Sequence, residues 1–170
     1  MHLSDAELQI RRAVLDDSKA IAGVLHDSFA EFKTLYTEGG FAATAVGAEQ
    51  VIVRVQQGPV WVALHEGAFI GTVAAVQEHE SVYIRGMAVL PTARRSGAGG
   101  RLLQHVENWA ASERCTRLFL STAPFLDSAI RLYERLGFQR TTDDLRDLFG
   151  TPLFTMEKAV EMLALTNQCF

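Results

Sequence analysis

The sequence lacks the features that mark several classes of protein. It has only two cysteines, Cys115 and Cys169, which are too few for a disulfide framework and fit a reducing compartment. No apolar run approaches the roughly 20 residues of a membrane span. Residues 1–7 have no basic start and no apolar core, so we do not expect a signal peptide. We therefore expect a cytoplasmic protein that does not bind membranes.

The sequence also has fewer basic than acidic residues, 16 against 20. The formal net charge is −4, which argues against a protein that coats nucleic acid. The composition is that of an ordinary globular domain, with 48% apolar and 21% charged residues. A chain of 170 residues buries roughly 70% of its unfolded surface and needs no structural metal to fold. We expect a single domain over residues 1–170, with a core over 8–158 and a C-terminal tail over 159–170 that forms a frayed helix.

Hydrophobic periodicity predicts an α/β fold with one mixed, mostly antiparallel sheet of about six to seven strands flanked by helices. The predicted order is strand, two helices, three strands, helix, strand, helix and two strands. In this interpretation the pair Gly39-Gly40 ends the first helix, and residues 47–57 form the second. His65-Glu66-Gly67 forms a hairpin turn, and residues 143–150 form a polar loop before the last strand.

A glycine-rich turn between a strand and a helix is the most informative segment. The run Gly97-Ala98-Gly99-Gly100 opens a helix, and the free amides at a helix N-terminus suit a phosphate group. Arg94, Arg95 and Arg101 add positive charge nearby. The spacing fits neither a Walker A loop nor a dinucleotide-binding fingerprint. A tight turn without any ligand is the alternative interpretation.

The strand before this turn changes the parity of its apolar residues. Val82 and Ile84 share one face, whereas Met87 and Val89 have the opposite parity. One inserted residue moves every later side chain to the other face, so we predict a β-bulge near Gly86. A bulge would free backbone groups for an extended ligand that contains amides. Burial of both faces of the strand would explain the same pattern without a bulge.

Two motifs resemble those of a known family. The segment Val89-x-Pro91-x-x-Arg94-x-x-Gly97-x-Gly99 resembles the acyl-CoA-binding signature of the GNAT superfamily of N-acyltransferases. Residues 129–138, a helix that bears a tyrosine and ends in Gly-Phe, resemble the second motif of that family. The motifs stand in the family's order and spacing, and the resemblance covers residues 8–158. It implies a GNAT-like sheet with a splay after the fourth strand.

The resemblance also implies which residues bind the cosubstrate. The backbone of residues 87–89 would pair with the pantetheine amides, and the amides between Arg95 and Gly100 would hold the pyrophosphate. The family often has Asn where this chain has Leu126, so Asp127, Ser128 or water would replace that contact. The implied cofactor-binding residues are Met87, Ala88, Val89, Arg94, Arg95, Ser96, Gly97, Ala98, Gly99, Gly100, Asp127 and Ser128.

Acyl transfer from a thioester needs a deprotonated amine, a donor to the oxyanion and a proton for the thiolate. The resemblance implies that Tyr133 lies near the thioester sulfur, where a phenol suits a general acid; packing in the core is the alternative. The Val89 amide is the implied oxyanion donor. Glu80 is our candidate base, slightly ahead of Glu78, and the alternative is that both are solvated turn carboxylates. His79 is another candidate, because an imidazole titrates near neutral pH.

The expected acceptor pocket combines aromatic and acidic residues. Phe29, Phe32, Tyr36 and Phe41 would come from the first two helices and their connection, although they could equally be core residues. Residues 78–80 and 143–147 carry five carboxylates, which would attract a cationic amine if they flank the acceptor. The alternative is that these acidic residues only keep surface loops soluble, in which case they do not indicate the charge of the acceptor.

The sequence thus predicts an enzyme, a CoA-dependent N-acetyltransferase. It would transfer an acetyl group from acetyl-CoA to a primary amine, on a small molecule or a peptide, by direct attack in a ternary complex. No metal is expected, because no histidine or cysteine spacing suits a metal site, and Cys115 lacks a nearby histidine for covalent catalysis. The alternatives are a non-catalytic acyl-CoA-binding or sensing module and acetylation of a protein N-terminus or lysine. A homodimer is left open.

Overall fold

The computed structural model describes residues 7–143 and 145–161. Most of the predicted C-terminal tail, with its frayed helix and Cys169, lies outside the described residues. So does most of the N-terminal segment in which we expected no signal peptide. Within the described part of the chain, no helix combines the length and the apolar character that crossing a membrane requires.

One sheet of eight strands organises the described chain. In chain order the strands are β1 (Leu8–Arg12), β2 (Val60–His65), β3 (Ala68–Glu78), β4 (Ser81–Val89), β5 (Arg117–Thr122), β6 (Gln139–Arg140), β7 (Arg146–Leu148) and β8 (Thr151–Ala159). Their spatial order is β1-β2-β3-β4-β5-β8-β6, and β7 pairs with β8. Only β4 and β5 are parallel, and the other pairs are antiparallel. The predicted mixed, mostly antiparallel sheet is confirmed.

Helices cover both faces of this sheet. In chain order they are α1 (Ser18–Phe29), α2 (Glu38–Thr44), α3 (Ala48–Gln57), α4 (Ala98–Ser112) and α5 (Asp127–Arg135). α1 and α3 pack on one face, in a buried cluster around Leu25, Val51 and Val62. α4 packs on the other face, where Leu102 and Val106 lie in the larger core cluster. Buried residues recur along α4 at helical spacing, so a single apolar stripe fixes how this helix lies on the sheet.

The parallel strands β4 and β5 separate soon after they meet. They pair only from Ser81–Arg117 to Tyr83–Phe119, although β4 continues to Val89. On its other edge, β4 carries the predicted bulge, because the register with β3 shifts between Arg85 and Ala88 and Gly86 has a φ of +60°. A left-handed glycine is typical of one class of bulge. The bulge near Gly86 and the splay after the fourth strand are both confirmed.

Two local expectations were wrong. Gly39-Gly40 does not end a helix but lies in the first turn of α2, where the Thr37 side chain caps the helix by accepting from the Gly40 amide at 3.0 Å. A Cβ at Gly40 would lie 2.3 Å from Thr151 Oγ1, so close packing against β8 explains the glycine. The polar loop of residues 143–150 contains β7, which forms a hairpin with β8.

Candidate active site

A cavity of about 880 Å³ opens where β4 and β5 diverge. One end is lined by residues 94–100, which we call the glycine turn, and the middle by the ends of β4 and β5 and by α5. We call the part of the wall formed by Phe29, Phe32, Tyr36, Arg54 and Arg85 the aromatic end; it borders the glycine turn at Phe32, whose ring lies 5.9 Å from the Arg94 guanidinium. Among the described residues that line the cavity, the only charged side chains are arginines, and no aspartate, glutamate or histidine is present.

The glycine turn has the backbone geometry of an anion site. Arg95 has a φ of +68° and Gly97 a φ of +89°, and Gly97 is the N-cap of α4. The Ser96 side chain accepts from the Ala98 amide at 3.2 Å. The first α-helical hydrogen bond of α4 runs from the Arg101 amide to Gly97 O, at 3.1 Å. The amides of residues 98–100 therefore have no partner within the helix. These amides lie beside the cavity at the positive end of the helix dipole.

Two glycines of this turn have different roles in packing. A Cβ at Gly99 would lie 2.8 Å from Leu132 Cδ2 and 3.2 Å from Met87 Cε, so Gly99 allows α4 to approach α5 and β4 closely. A Cβ at Gly100 would meet nothing within 4 Å. Since Gly100 lines the cavity, it is the glycine at which a new side chain would enter the site without disturbing the fold.

Arg94 connects the glycine turn to the segment after α1. Its guanidinium forms an ion pair with Glu31, donates to Ser28 O at 3.2 Å and lies 5.9 Å from the centre of the Phe32 ring. Arg94 lines the cavity as expected, but it holds two walls of the cavity together rather than projecting freely toward a phosphate.

The edge of β4 that faces the splay presents backbone groups to the cavity. The Leu90 amide donates to Ile70 O on the β3 side at 2.9 Å. Amides alternate in direction along a strand, so the Val89 amide points away from β3 and into the splay. Met87, Ala88 and Val89 all line the cavity. The structure therefore brings the expected strand residues and the glycine turn to one continuous surface.

Tyr133 lies at the base of this surface. It is 5% exposed and belongs to the core cluster, yet it also lines the cavity. Its ring lies 5.8 Å from that of Phe138. Burial, with a smaller contribution from Tyr36, raises the pKa of Tyr133 well above its ordinary value. The hydroxyl therefore keeps its proton at neutral pH, as a proton donor must.

Of the two residues expected to replace the family's asparagine, only one lies beside the cavity. Leu126 is the N-cap of α5 and provides no side-chain cap. Ser128 lines the cavity, whereas Asp127 is exposed and does not. Ser121 and Thr122, at the end of β5, were not predicted from the sequence. Their hydroxyl oxygens are buried without a hydrogen-bond partner and these residues line the cavity.

The structure corrects the expected position of the base. Glu80 and His79 are exposed in the turn between β3 and β4, Glu78 is exposed at the end of β3, and none of the three lines the cavity. Nine residues separate Glu80 from Val89 along an extended strand, which at ~3.3 Å per residue is about 30 Å. Glu80 is therefore at the wrong end of β4 to contact an amine in the cavity.

The structure also corrects the acidic acceptor pocket. Asp143 and Asp147 are exposed and do not line the cavity, while Asp144 lies outside the described residues. Phe41 is absent from the lining and instead packs behind Tyr36, with ring centres 6.2 Å apart. Burial raises the pKa of Tyr36 to about 12. Arg54 and Arg85, which the sequence analysis did not consider, are the charged residues at this end.

No group of three or more potential ligands that could hold a metal ion occurs among residues 7–143 and 145–161. Cys115 is buried and does not line the cavity. Burial is also the main cause that raises the pKa of its thiol. These features give Cys115 the character of a core residue.

Sequence comparisons agree with this geometry. A family model described as the Acetyltransferase (GNAT) family matches residues 23–138. The uncharacterized N-acetyltransferase YjgM of Escherichia coli is 33% identical over 135 residues, which are 76% of this chain and 81% of that protein. YhfO of Bacillus subtilis, also an uncharacterized N-acetyltransferase, is 28% identical over 85% of this chain and 99% of its own length. Aminoglycoside N(6')-acetyltransferase type 1 of Salmonella typhimurium is 26% identical over 48% of this chain and 62% of its own.

Solved structures share the fold. The PaiA N-acetyltransferase of Thermoplasma acidophilum, solved with coenzyme A, superposes with a TM-score of 0.74 at 16% identity, over 89% of this chain and 98% of its own. YncA of Salmonella typhimurium, a putative acetyltransferase solved with acetyl-CoA, gives a TM-score of 0.71 at 20% identity, over 95% and 99% of the two chains.

Proposed function

Because the chain belongs to the GNAT family of acetyltransferases, we propose that it transfers an acetyl group from acetyl-CoA to a primary amine within a ternary complex. The observation that carries this proposal is the cavity between β4 and β5. It combines the glycine turn, the free edge of β4 and a buried protonated tyrosine on one surface. These three features match the pyrophosphate, the pantetheine amides and the thiol of one extended cosubstrate.

Acetyl-CoA would lie along the splay. The amides of the glycine turn would bind the pyrophosphate, with Arg95 adding charge, and the backbone of Met87 to Val89 would pair with the pantetheine arm. Ser121, Thr122 and Ser128 would donate to that arm in place of the family's asparagine, because two of these hydroxyls are buried without a partner. Coenzyme A and acetyl-CoA in the two structural relatives support this assignment.

The reaction needs few groups from the protein. The neutral amine attacks the thioester carbonyl, and the Val89 amide donates to the oxyanion. As the carbon–sulfur bond breaks, the Tyr133 hydroxyl donates its proton to the thiolate. The attacking nitrogen is positively charged after the attack and loses one proton to water to give the neutral amide, and Tyr133 regains a proton from solvent. Since no carboxylate or imidazole lines the described cavity, water carries protons away from the amine and no side chain acts as the base.

Two measurements test the proposal together. Calorimetric titration with acetyl-CoA tests binding, and release of free CoA thiol in the presence of a panel of amines tests transfer. We expect micromolar binding and amine-dependent thiol release. Binding without release for any amine would favour the sensing module, and absence of binding would contradict the assignment of the cavity.

A further inference from the structure

Two arginines stand at the aromatic end of the cavity, on the far side of the β4 bulge from the glycine turn. Arg54 comes from α3 and Arg85 from β4, directly before Gly86. Both line the cavity. A Cβ at Gly86 would lie only 2.7 Å from Arg54 Nη1, so the guanidinium of Arg54 lies directly on the bulge.

These guanidinium groups are incompletely paired. The Nε atoms of Arg54 and Arg85 are both buried without a hydrogen-bond partner. Arg85 donates through Nη2 to the Gln57 side chain, and within the described part of the chain the guanidinium of Arg54 has no hydrogen bond and no ion pair. Buried charges without a counterion are costly, and this pair lacks one in the cavity lining.

Both groups remain charged at neutral pH. Burial, followed by the positive charge of Arg85, lowers the pKa of Arg54 to about 10. Burial likewise lowers the pKa of Arg85, and the opposing effects of Tyr83 and Glu78 are smaller. Glu78 is exposed and does not line the cavity. No carboxylate in the described cavity lining stands beside the pair, so an anion bound there would meet two guanidinium groups without a counterion in the lining.

Four further arginines line the cavity away from the bulge in β4. The other arginines that line the cavity are Arg94 and Arg95 in the glycine turn and Arg131 and Arg135 on α5. Arg85 precedes Val89 by four residues, about 13 Å along a strand, and the glycine turn lies further on. Acetyl-CoA bound along β4 from the glycine turn would place its phosphates away from Arg54 and Arg85.

We propose that Arg54 and Arg85 form a subsite for an oxyanion on the acceptor, so that the acceptor is a small amine bearing a carboxylate, sulfonate or phosphonate. This inference rests on the proposed function and names its substrate class. Guanidinium groups bind such oxyanions through paired hydrogen bonds. Arg54 lies on Gly86, three residues or about 10 Å along β4 from the Val89 amide, so only a short chain can separate the amine of the acceptor from its acid group. Phe29, Phe32 and Tyr36 provide an apolar wall for the rest of the molecule.

The test compares amines that differ only in the acid group. The acceptors are β-alanine, taurine and aminoethylphosphonate, with β-alaninamide and ethylenediamine as counterparts without an oxyanion. L-phenylalanine and L-phenylalaninamide form a second pair with an aromatic body, and kanamycin is a polycationic acceptor. We expect the wild-type protein to prefer one of the oxyanion-bearing amines. The three acids of equal length identify which oxyanion is bound.

Substitutions then locate the effect. In Arg54→Gln and Arg85→Gln we expect kcat/KM for the preferred acid to fall by about 10- to 100-fold, the value of a charge-assisted hydrogen bond. The amide counterpart should change by less than about threefold, and acetyl-CoA affinity should stay the same. Arg140→Gln is the matched control, because Arg140 is an exposed arginine on β6 outside the cavity. If Arg54→Gln does not fold, Arg54→Lys keeps the charge and the stem but loses the planar fork.

A preference for the amides, ethylenediamine or kanamycin would overturn the inference, as would equal losses for acids and amides in both variants. If acetyl-CoA binds but no amine is acetylated, the proposed function fails and the subsite is tested by binding alone. Propanoate should then raise the melting temperature of the wild-type protein but not of Arg85→Gln, with propanamide as the blank. No stabilisation of the wild-type protein by propanoate would overturn the subsite on its own.

Discussion

The glycine turn and the aromatic end close the same cavity but are built differently. The glycine turn consists of consecutive residues, and its backbone amides provide the binding groups. The aromatic end is assembled from α1, α3 and β4 and the segment before α2, and its binding groups are side chains. Any sequence that adopts the conformation of the glycine turn provides the same backbone amides. The side chains of the aromatic end, in contrast, can be exchanged without a change of fold. Under the proposed function, the first end binds the cosubstrate and the second end selects the acceptor.

The pH dependence tests whether the aromatic end contains a base. We expect kcat/KM for an amine of pKa near 10 to rise about tenfold per pH unit, roughly a thousandfold from pH 6 to pH 9, because only the neutral amine reacts. The raised pKa of Tyr133 means that the proton donor is not lost in this range. A plateau that begins near pH 7 in stopped-flow thiol assays would reveal a protein base.

Removing the hydroxyl of Tyr133 should separate chemistry from binding at both ends. We expect Tyr133→Phe to lower kcat by about a hundredfold, the usual contribution of a general acid, while acetyl-CoA affinity and acceptor KM stay near wild type. Melting temperature is the control, since the ring packs against Phe138 in either variant. Wild-type turnover in Tyr133→Phe would make Tyr133 a packing residue.

A side chain at Gly100 should damage the glycine turn alone. We expect Gly100→Glu to weaken acetyl-CoA binding at least tenfold, about 1.4 kcal/mol, because the new carboxylate enters the anion site. Gly23→Glu in α1 is the matched control, since a Cβ at Gly23 also meets nothing within 4 Å and Gly23 does not line the cavity. Calorimetry that finds equal affinities in the two variants would contradict the pyrophosphate assignment.

Gly86 offers the smallest and most local change at the aromatic end. Gly86→Ala should cost about 1 kcal/mol of stability, because its φ of +60° is left-handed, and should raise acceptor KM severalfold by displacing Arg54. Gly67→Ala is the control, since Gly67 has a φ of +80° but open space around its Cβ position. A KM that rises equally in both variants would show that strain, not Arg54, is responsible.

The two ends also differ in how much the sequence predicted. The glycine turn and the bulge were predicted correctly because each is a local pattern, a glycine run in one case and a parity change over eight residues in the other. Arg54 and Arg85 were missed because α3 and β4 meet only in the folded chain. Glu80 was placed in the site because it directly precedes β4 in sequence, but the sequence does not show which end of β4 borders the site. The prediction for Gly39-Gly40 was wrong because a glycine is needed at Gly40 for close contact with Thr151, which lies more than a hundred residues away in sequence.

The Thr37 contacts have a mechanical consequence for the wall of the cavity. The Thr37 amide donates to Thr151 Oγ1 at 2.9 Å, and the Thr37 hydroxyl donates to Phe149 O at 2.7 Å. These bonds tie the segment before α2 to the β7–β8 hairpin, in the half of the sheet beyond the splay. The same segment is tied to the glycine turn by the contacts of Arg94 with Glu31 and Ser28 O, so the stretch that carries Phe32 and Tyr36 acts as a strut between the two halves of the sheet.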